Sequence, residues 1–438
     1  MKDLELKRLS ITNWQNIEYL NIEFEKMLIL IGESNRGKTS ILKALSAIIG
    51  SYEIKENDFK NRDRVIEIKI KYFFKEKGFF TLKMTKKIGE KNRYILISHG
   101  VEEELTIEEI KSKFFYVKGV VISSKENGVH NALHQMKEIF LLQNKESKII
   151  KELESKLKHI ETNILSQSLQ RKVFFSFLKK ILADIEIYEM DLKNIFYSIF
   201  LIFEEPELHL NPQESREMYY LLIKLSKIGV QIVMETHSSY FVGLKQYKSI
   251  CLLRKVKNNI KVYQHTGKLL NGDEIKNFNM NYWINPDRGE MFFAKKVILV
   301  EGQTDKIAIS YLAKKLDIYN YNYSIVECGS KSIIPQFIKV LNAYKIPYVA
   351  VYDKDNHKWR SETELESSNL KNKNIKKIIN KYIGDFIEFE NDIEEEIYHE
   401  ERERKNYKNK PYYTLQKINE DNYLIPKKLE EKIRKIYK

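Results

Sequence analysis

Two groups of residues in this chain have the types and spacing for phosphate chemistry. Gly32-Glu33-Ser34-Asn35-Arg36-Gly37-Lys38-Thr39-Ser40 is a glycine-bounded loop ending in Lys-Thr. Backbone N–H groups of such a loop wrap phosphate oxygens, and its lysine reaches the β- and γ-phosphates. Gly32, Asn35, Gly37, Lys38, Thr39 and Ser40 are therefore the candidate nucleotide contacts, with the Thr39 hydroxyl placed to hold Mg²⁺. The second group is Glu301-Gly302-Gln303-Thr304-Asp305, followed further along by Asp353-Lys354-Asp355. Carboxylates brought together repel unless cations intervene, and hard oxygen ligands suit Mg²⁺ or Mn²⁺. Glu301, Asp353 and Asp355 are the expected core of a metal site, with Asp305 able to support a second ion. Two ions about 3.5–4 Å apart stabilise both the attacking and the leaving oxygen of a phosphodiester.

These residues need elements that present them. The apolar run Met27–Ile31 reads as a strand buried on both faces; Gly32 ends it, and Thr39–Leu45 opens a helix. Strand, glycine loop and helix form the context that a phosphate loop requires. A second apolar strand, Phe196–Phe203, runs into Glu204-Glu205-Pro206-Glu207. Glu204 is assigned to the metal of the nucleotide and Glu205 to orienting the attacking water. A third strand, Gln231–Met234, leads to Glu235-Thr236-His237-Ser238, where His237 can contact a γ-phosphate. Residues 64–125 read as short strands and 131–192 as helices. Leu153, Leu157, Ile160 and Ile164 fall at helical spacing, as expected of either an arm or a helix packed on its own domain. From residue 286 strands and helices alternate: Val297–Val300, Lys306–Leu316, Tyr323–Val326, Ile333–Ala343 and Tyr348–Tyr352. That order predicts a parallel α/β sheet with Glu301 and Asp353 at the carboxyl ends of its strands. The softer stretch Asn271–Asp287 places the domain boundary, giving 1–285 (helical insert about 131–192) and 286–438.

Composition narrows the class. The chain carries 75 Lys and Arg against 61 Asp and Glu, a net charge of +14 that suits a polyanionic partner. The same excess is what a Lys-, Ile- and Asn-rich composition produces without any partner. The last stretch, 401–438, is also basic. Two cysteines without metal-ligand spacing, Cys251 and Cys328, argue for a reducing compartment and against a disulfide scaffold. No apolar run approaches the ~20 residues of a membrane span, so a cytoplasmic location without membrane attachment is expected.

The three motifs of the first half resemble the ATP-binding-cassette (ABC) type of P-loop ATPase found in chromosome-maintenance and recombination proteins. In those proteins two heads sandwich ATP, each lending a signature segment to the other. The resemblance thus implies a homo-oligomer, at least a dimer through the ATPase heads. The matching segment here, Ser166-Gln167-Ser168-Leu169-Gln170-Arg171, lacks the usual glycine, which favours ATP binding over fast hydrolysis. The second half resembles the TOPRIM domain of topoisomerases, primases and certain nucleases. An ABC-type head followed by TOPRIM is the arrangement of the OLD (overcoming lysogenization defect) nuclease family. That resemblance implies ATP and Mg²⁺ or Mn²⁺ as cofactors and DNA as substrate. It also implies late acids, mapped to Asp392 and Glu394, and a late lysine, mapped to Lys410, that stabilises charge at the scissile phosphate. Cys328-Gly329-Ser330-Lys331 matches the glycine turn of the family. Several members act in antiphage defence, some with a partner protein.

The leading expectation is an ATP-regulated, metal-dependent DNA endonuclease or nickase in which ATP restrains or gates cleavage. The alternative is an ATP-driven DNA-binding clamp or scaffold with inactive TOPRIM acids. A topoisomerase would need a further large domain carrying a tyrosine nucleophile, and a primase would need a zinc module that two unspaced cysteines do not build.

Overall fold

A computed structural model describes residues 4–33, 37–75, 78–106, 108–109, 118–123, 128–143, 148–163, 166–188, 199–274, 286–400 and 409–438. They form two compact units, Met1–Thr266 and Gly267–Lys438. The division falls ahead of the boundary expected at 285/286. The turn around Gly272 opens the second unit, and residues 275–285 lie outside the described residues.

The first unit holds two six-stranded sheets. One runs β2 (Ile17–Glu23), β1 (Leu4–Trp14), β4 (Ile66–Phe74), β5 (Gly78–Lys86), β6 (Arg93–Ser98) and β7 (Val101–Leu105), every neighbouring pair antiparallel. Alternation explains it: in β4, Ile66, Ile68, Ile70, Tyr72 and Phe74 are buried while the residues between face outward. The other sheet runs β12 (Asn259–Gln264), β11 (Ile250–Val256), β3 (Met27–Gly32), β10 (Gln231–Glu235), β9 (Ile199–Glu204) and β8 (Lys118–Ile122). From β11 to β8 the pairing is parallel, and β3 and β10 are buried along their whole length. One hydrophobic core joins both sheets to helix α1 (Lys38–Ile48) through residues such as Ile11, Ile68, Leu30, Leu45 and Ile202.

Three described helices fill the expected insert: α2 (Gly128–Gln143), α3 (Lys148–Asn163) and α4 (Gln167–Tyr188). Leu153, Leu157 and Ile160 of α3 are buried in this unit, so the apolar stripe packs on its own domain. Ile164 lies outside the described residues, as do the first three positions of the strand expected at Phe196–Phe203. Helix α5 (Pro212–Lys227) starts at the Asn211 cap, whose side chain accepts from the Glu214 N–H at 2.8 Å.

The second unit is built on a parallel four-stranded sheet in the order β14 (Tyr323–Glu327), β13 (Lys296–Val300), β15 (Tyr348–Asp353), β16 (Gly384–Phe389). The expected helices appear as α6 (Gln303–Lys315) and α7 (Ile334–Ala343). Four further helices follow: α8 (Glu362–Ile378), α9 (Ile393–Tyr398), α10 (Lys410–Ile418) and α11 (Lys427–Tyr437). The basic C-terminal segment is thus structural in its described part. Leu429, Ile433 and Ile436 of α11 join the core formed by Ile298, Val300, Val351 and Phe389, leaving the lysines on the outer face.

Candidate functional site

In the first unit, the phosphate loop joins β3 to α1, as its motif requires. Gly32 has φ +141°, and a Cβ there would stand 2.3 Å from the Leu253 carbonyl oxygen. Gly37 has φ +93°, and a Cβ would meet Ile260 at 2.3 Å. Both positions exclude side chains. Lys38 is folded back onto its own loop, donating to the carbonyls of Gly32 (2.8 Å) and Glu33 (3.0 Å). Burial pulls its pKa down, opposed by Glu235, Glu205 and Glu207. Lys38, Thr39, Ser40, Glu205, Glu235 and His237 help to line a cavity of about 510 Å³. Asn35 lies outside the described residues.

The acids of this site divide differently from the sequence expectation. The Thr39 hydroxyl donates to Glu235, at 2.9 Å to Oε2 and 3.1 Å to Oε1. Glu235 ends β10 and pairs in register with Glu204 at the end of β9. Burial lifts its carboxyl to about 7 against the hydrogen bond from Thr39, with Glu204 adding repulsion. Glu204 accepts from the Ser123 hydroxyl at 2.8 Å. Glu205 lines the cavity with its backbone in the left-handed region (φ 47°), and its carboxylate lies 3.8 Å from His237 Nε2. Glu207 fixes the segment carrying His237, accepting from the His237 N–H and the Thr236 hydroxyl, each at 2.8 Å. From the segment matched to the signature, buried Arg171 donates to the carbonyls of Glu205 (2.5 Å) and Glu204 (3.2 Å).

In the second unit, the strand ends assemble an acidic cavity of about 650 Å³. Glu301 follows β13, and its Oε1 accepts from the Asp353 N–H at 2.9 Å, tying the ends of two neighbouring strands together. Asp305 lies in the first turn of α6, where its Oδ2 accepts from the Gly302 N–H at 2.9 Å. Glu394 lines the cavity from α9, and Lys410 Nζ reaches it from α10 at 2.9 Å. Asp392 sits behind: its Oδ1 caps α9 on the Glu395 N–H (2.8 Å), and its Oδ2 is 3.9 Å from Lys410 Nζ. Burial lifts Asp353 well above the usual aspartate range, with Asp305, Glu301 and Glu394 adding repulsion. Asp305 is pushed up to about 7 by burial and then by Glu301. Glu301 and Glu394 also rise, burial again being the largest cause.

Asp353 Oδ1 is buried and has no hydrogen-bond partner among the described residues. Mutually repelling buried carboxylates with an oxygen lacking a donor form an all-oxygen set that fits a hard divalent cation. Asp355 differs. Lys331 Nζ (2.5 Å) and the Ser368 hydroxyl (2.9 Å) bind its Oδ2, and Arg360 Nη2 (2.6 Å) binds its Oδ1. Burial raises its pKa, but Lys331, Ser368 and Arg360 outweigh that and hold it below the usual range. Its backbone is left-handed (φ 62°).

Sequence reasoning missed Glu235, Lys331, Arg360 and His357. Glu235 was within reach, since it ends a strand directly before the motif histidine. Lys331 lies in the glycine turn, yet its ammonium is buried, also donating to the Asp353 carbonyl and to Ser368 Oγ (3.0 Å). His357 is buried between Glu395 (Nδ1, 3.0 Å) and Asp392 (Nε2, 3.7 Å) and stacks on Trp359. A lone histidine in a loop gives no sequence signal for that.

Comparison with known proteins finds domain matches in both halves of the chain. Residues 292–355 match the family model of the overcoming lysogenization defect protein-like TOPRIM domain. Residues 169–242 match that of an AAA ATPase domain, and residues 4–96 a protein family of unknown function. The molecule is thus an ATPase head joined to a TOPRIM domain, modules that use nucleotide and divalent metal. Over 161 residues the chain is 32% identical to the OLD nuclease of Thermus scotoductus, covering 35% of this chain and 30% of that protein. Over 171 residues it is 25% identical to the Old nuclease of Escherichia phage P2, covering 38% and 29%. The chain therefore matches less than a third of the length of these curated relatives. A solved SMC head domain from Thermotoga maritima is similar at 14% identity, covering 60% of this chain and 99% of that one, with a TM-score of 0.36. Over these segments the chain is similar to an ATPase domain, to an OLD-like TOPRIM domain and to the two OLD nucleases. Among the described residues no helix is long and apolar enough to cross a membrane.

Proposed function

We propose that this chain is an ATP-regulated, divalent-metal-dependent DNA endonuclease or nickase. The observation that carries the reading is the group of buried carboxylates at the ends of β13 and β15, with Asp353 Oδ1 lacking a donor. Glu301, Asp305, Asp353 and Glu394 would hold Mg²⁺ or Mn²⁺, with Asp392 behind them. When bound, such ions supply Lewis-acid stabilisation of the attacking and leaving oxygens of a phosphodiester. The chain's own residues do the positioning. Glu301 fixes the β15 end through the Asp353 N–H, Asp392 and His357 fix the α9 corner, and Lys410 presents a positive charge beside Glu394.

In the head, Lys38 and the loop N–H groups would hold the ATP phosphates, and His237 would contact the γ-phosphate. Thr39 and Glu204 would hold Mg²⁺, with Glu235 as a further acid on Thr39. Glu205 would orient the attacking water. Two heads sharing ATP would make the working unit at least a dimer, and ATP would restrain or gate cleavage. A role in antiphage defence, with a partner protein, is the biological setting that the family resemblance favours.

The test is conversion of supercoiled plasmid to nicked or linear forms with Mg²⁺ or Mn²⁺, with and without ATP, for the wild type and Lys38→Ala. The proposal expects metal-dependent cutting whose rate responds to ATP in the wild type alone. Cutting indifferent to both ATP and Lys38→Ala would remove the regulatory half. DNA binding without cutting would favour the clamp.

A further inference from the structure

The two aspartates of the Asp353-Lys354-Asp355 turn differ in what surrounds them. Asp353 faces Asp305, Glu301 and Glu394 and keeps one buried oxygen without a donor. Both oxygens of Asp355 are engaged by Lys331, Arg360 and Ser368. A carboxylate bonded by an ammonium, a guanidinium and a hydroxyl has little left to offer a metal ion. It does hold two cationic side chains in place, at the cavity that the acids line.

That side of the cavity is chemically the opposite of the acidic side. Arg360 and Lys371 line it together with the hydroxyl-bearing Ser330, Ser332, Thr363 and Ser367. Arg360 spends only Nη2 on Asp355; its Nη1 makes no hydrogen bond among the described residues. Its guanidinium also lies over the Trp359 ring, 5.6 Å from the centroid, which fixes its plane. Lys371 is exposed, makes no hydrogen bond or ion pair among the described residues, and is close enough to lower the Glu301 pKa against burial. Glu364, the acid on this side, accepts from the Ser361 N–H at 3.0 Å. A guanidinium with a nitrogen to spare and an exposed ammonium, beside hydroxyls, are the groups that grip a phosphodiester oxygen.

We propose that Arg360, held by Asp355, and the neighbouring Lys371 form a phosphate-binding wall for the nucleic-acid backbone, so that Asp353 serves the metal and Asp355 serves the substrate. The inference rests on the nuclease reading above and deepens it. The wall holds a phosphate of the strand alongside the acids, and Lys331 neutralises Asp355 so that its charge does not repel that phosphate. Arg360 and Lys371 are positioning residues for the substrate.

The experiment uses the full chain and a fluorescein-labelled DNA duplex in EDTA, with affinity measured by anisotropy across a salt series. Each phosphate contact contributes about 0.9 to the slope of log affinity against log salt. Lys371→Gln, at an exposed position, should lower that slope by about one contact, and Arg360→Gln likewise. In parallel, electron paramagnetic resonance counts bound Mn²⁺. Asp353→Asn should lose Mn²⁺ and keep the wild-type slope; Asp355→Asn should keep Mn²⁺ and lose slope. Unchanged slopes in both wall variants, or loss of Mn²⁺ in Asp355→Asn equal to that in Asp353→Asn, would overturn the proposal. Plasmid cutting by the wild type separates the two ideas. Cutting with unchanged slopes removes the wall alone, while reduced slopes in a protein that never cuts support the wall and remove the nuclease.

Discussion

The two sites handle charge in opposite ways. In the head, the phosphate loop is a contiguous run whose one lysine is held by its own backbone carbonyls, and the nearby acids arrive from β9 and β10. In the TOPRIM unit no contiguous run makes the site. Acids from β13, α6, β15 and α9 meet in one cavity, and burial disfavours their charged forms. The first site has its main cation built in; the second has carboxylates that gain most when a cation arrives. The comparison teaches where each site is vulnerable. The head depends on one side chain, and the TOPRIM cavity on the balance among several.

The largest effect that would sharpen this contrast is expected in the head. Lys38→Ala should weaken ATP binding roughly a hundredfold, the upper end of what hydrogen bonds to a charged group contribute. Titration calorimetry with ATP would show it, and near-wild-type affinity would break the assignment. Next comes the TOPRIM cavity. Mn²⁺ at a hundred times its dissociation constant should stabilise the wild type by about 2.7 kcal/mol, because it binds the folded state alone. A thermal melt with and without Mn²⁺ checks this, and an unmoved midpoint would mean that the acids balance themselves without metal. A smaller effect is expected at His357. Replacing it by Gln should weaken Mn²⁺ binding about tenfold by loosening Asp392, with little change in ATP affinity. An equal loss at both sites would mark a general folding defect instead.

The setting of the head's phosphate loop was legible because its motif is local: a glycine loop between an all-apolar strand and a helix leaves few alternatives. Strand-ending acids such as Glu301 and Asp353 were legible for the same reason, since β13 and β15 are apolar throughout. Helix α8 was not. Its buried residues are Ser368, Asn372 and Ile375, so it carries no apolar stripe for a periodicity argument to find. Arg360, just before its start, and Lys371, within it, were invisible with it. Strand β16 buries only Ile387 and Phe389, and it leads to the Asp392 turn. Asp392 and Glu394 were therefore reached through family resemblance rather than through pattern. Lys331 was hidden because a lysine after a glycine turn reads as solvated, whereas here it is buried with three acceptors, one of them the Asp355 carboxylate.

The central claim is that the carboxylates at the ends of β13 and β15 cut DNA with a divalent metal. Its most direct test is supercoiled plasmid incubated with Mn²⁺ and either the wild type or Asp353→Asn, with folding of both checked by circular dichroism. The account predicts nicked or linear product from the wild type and a loss of at least about a hundredfold in the variant, the scale of removing one essential transition-state stabiliser. Equal cutting by a folded Asp353→Asn protein would contradict it.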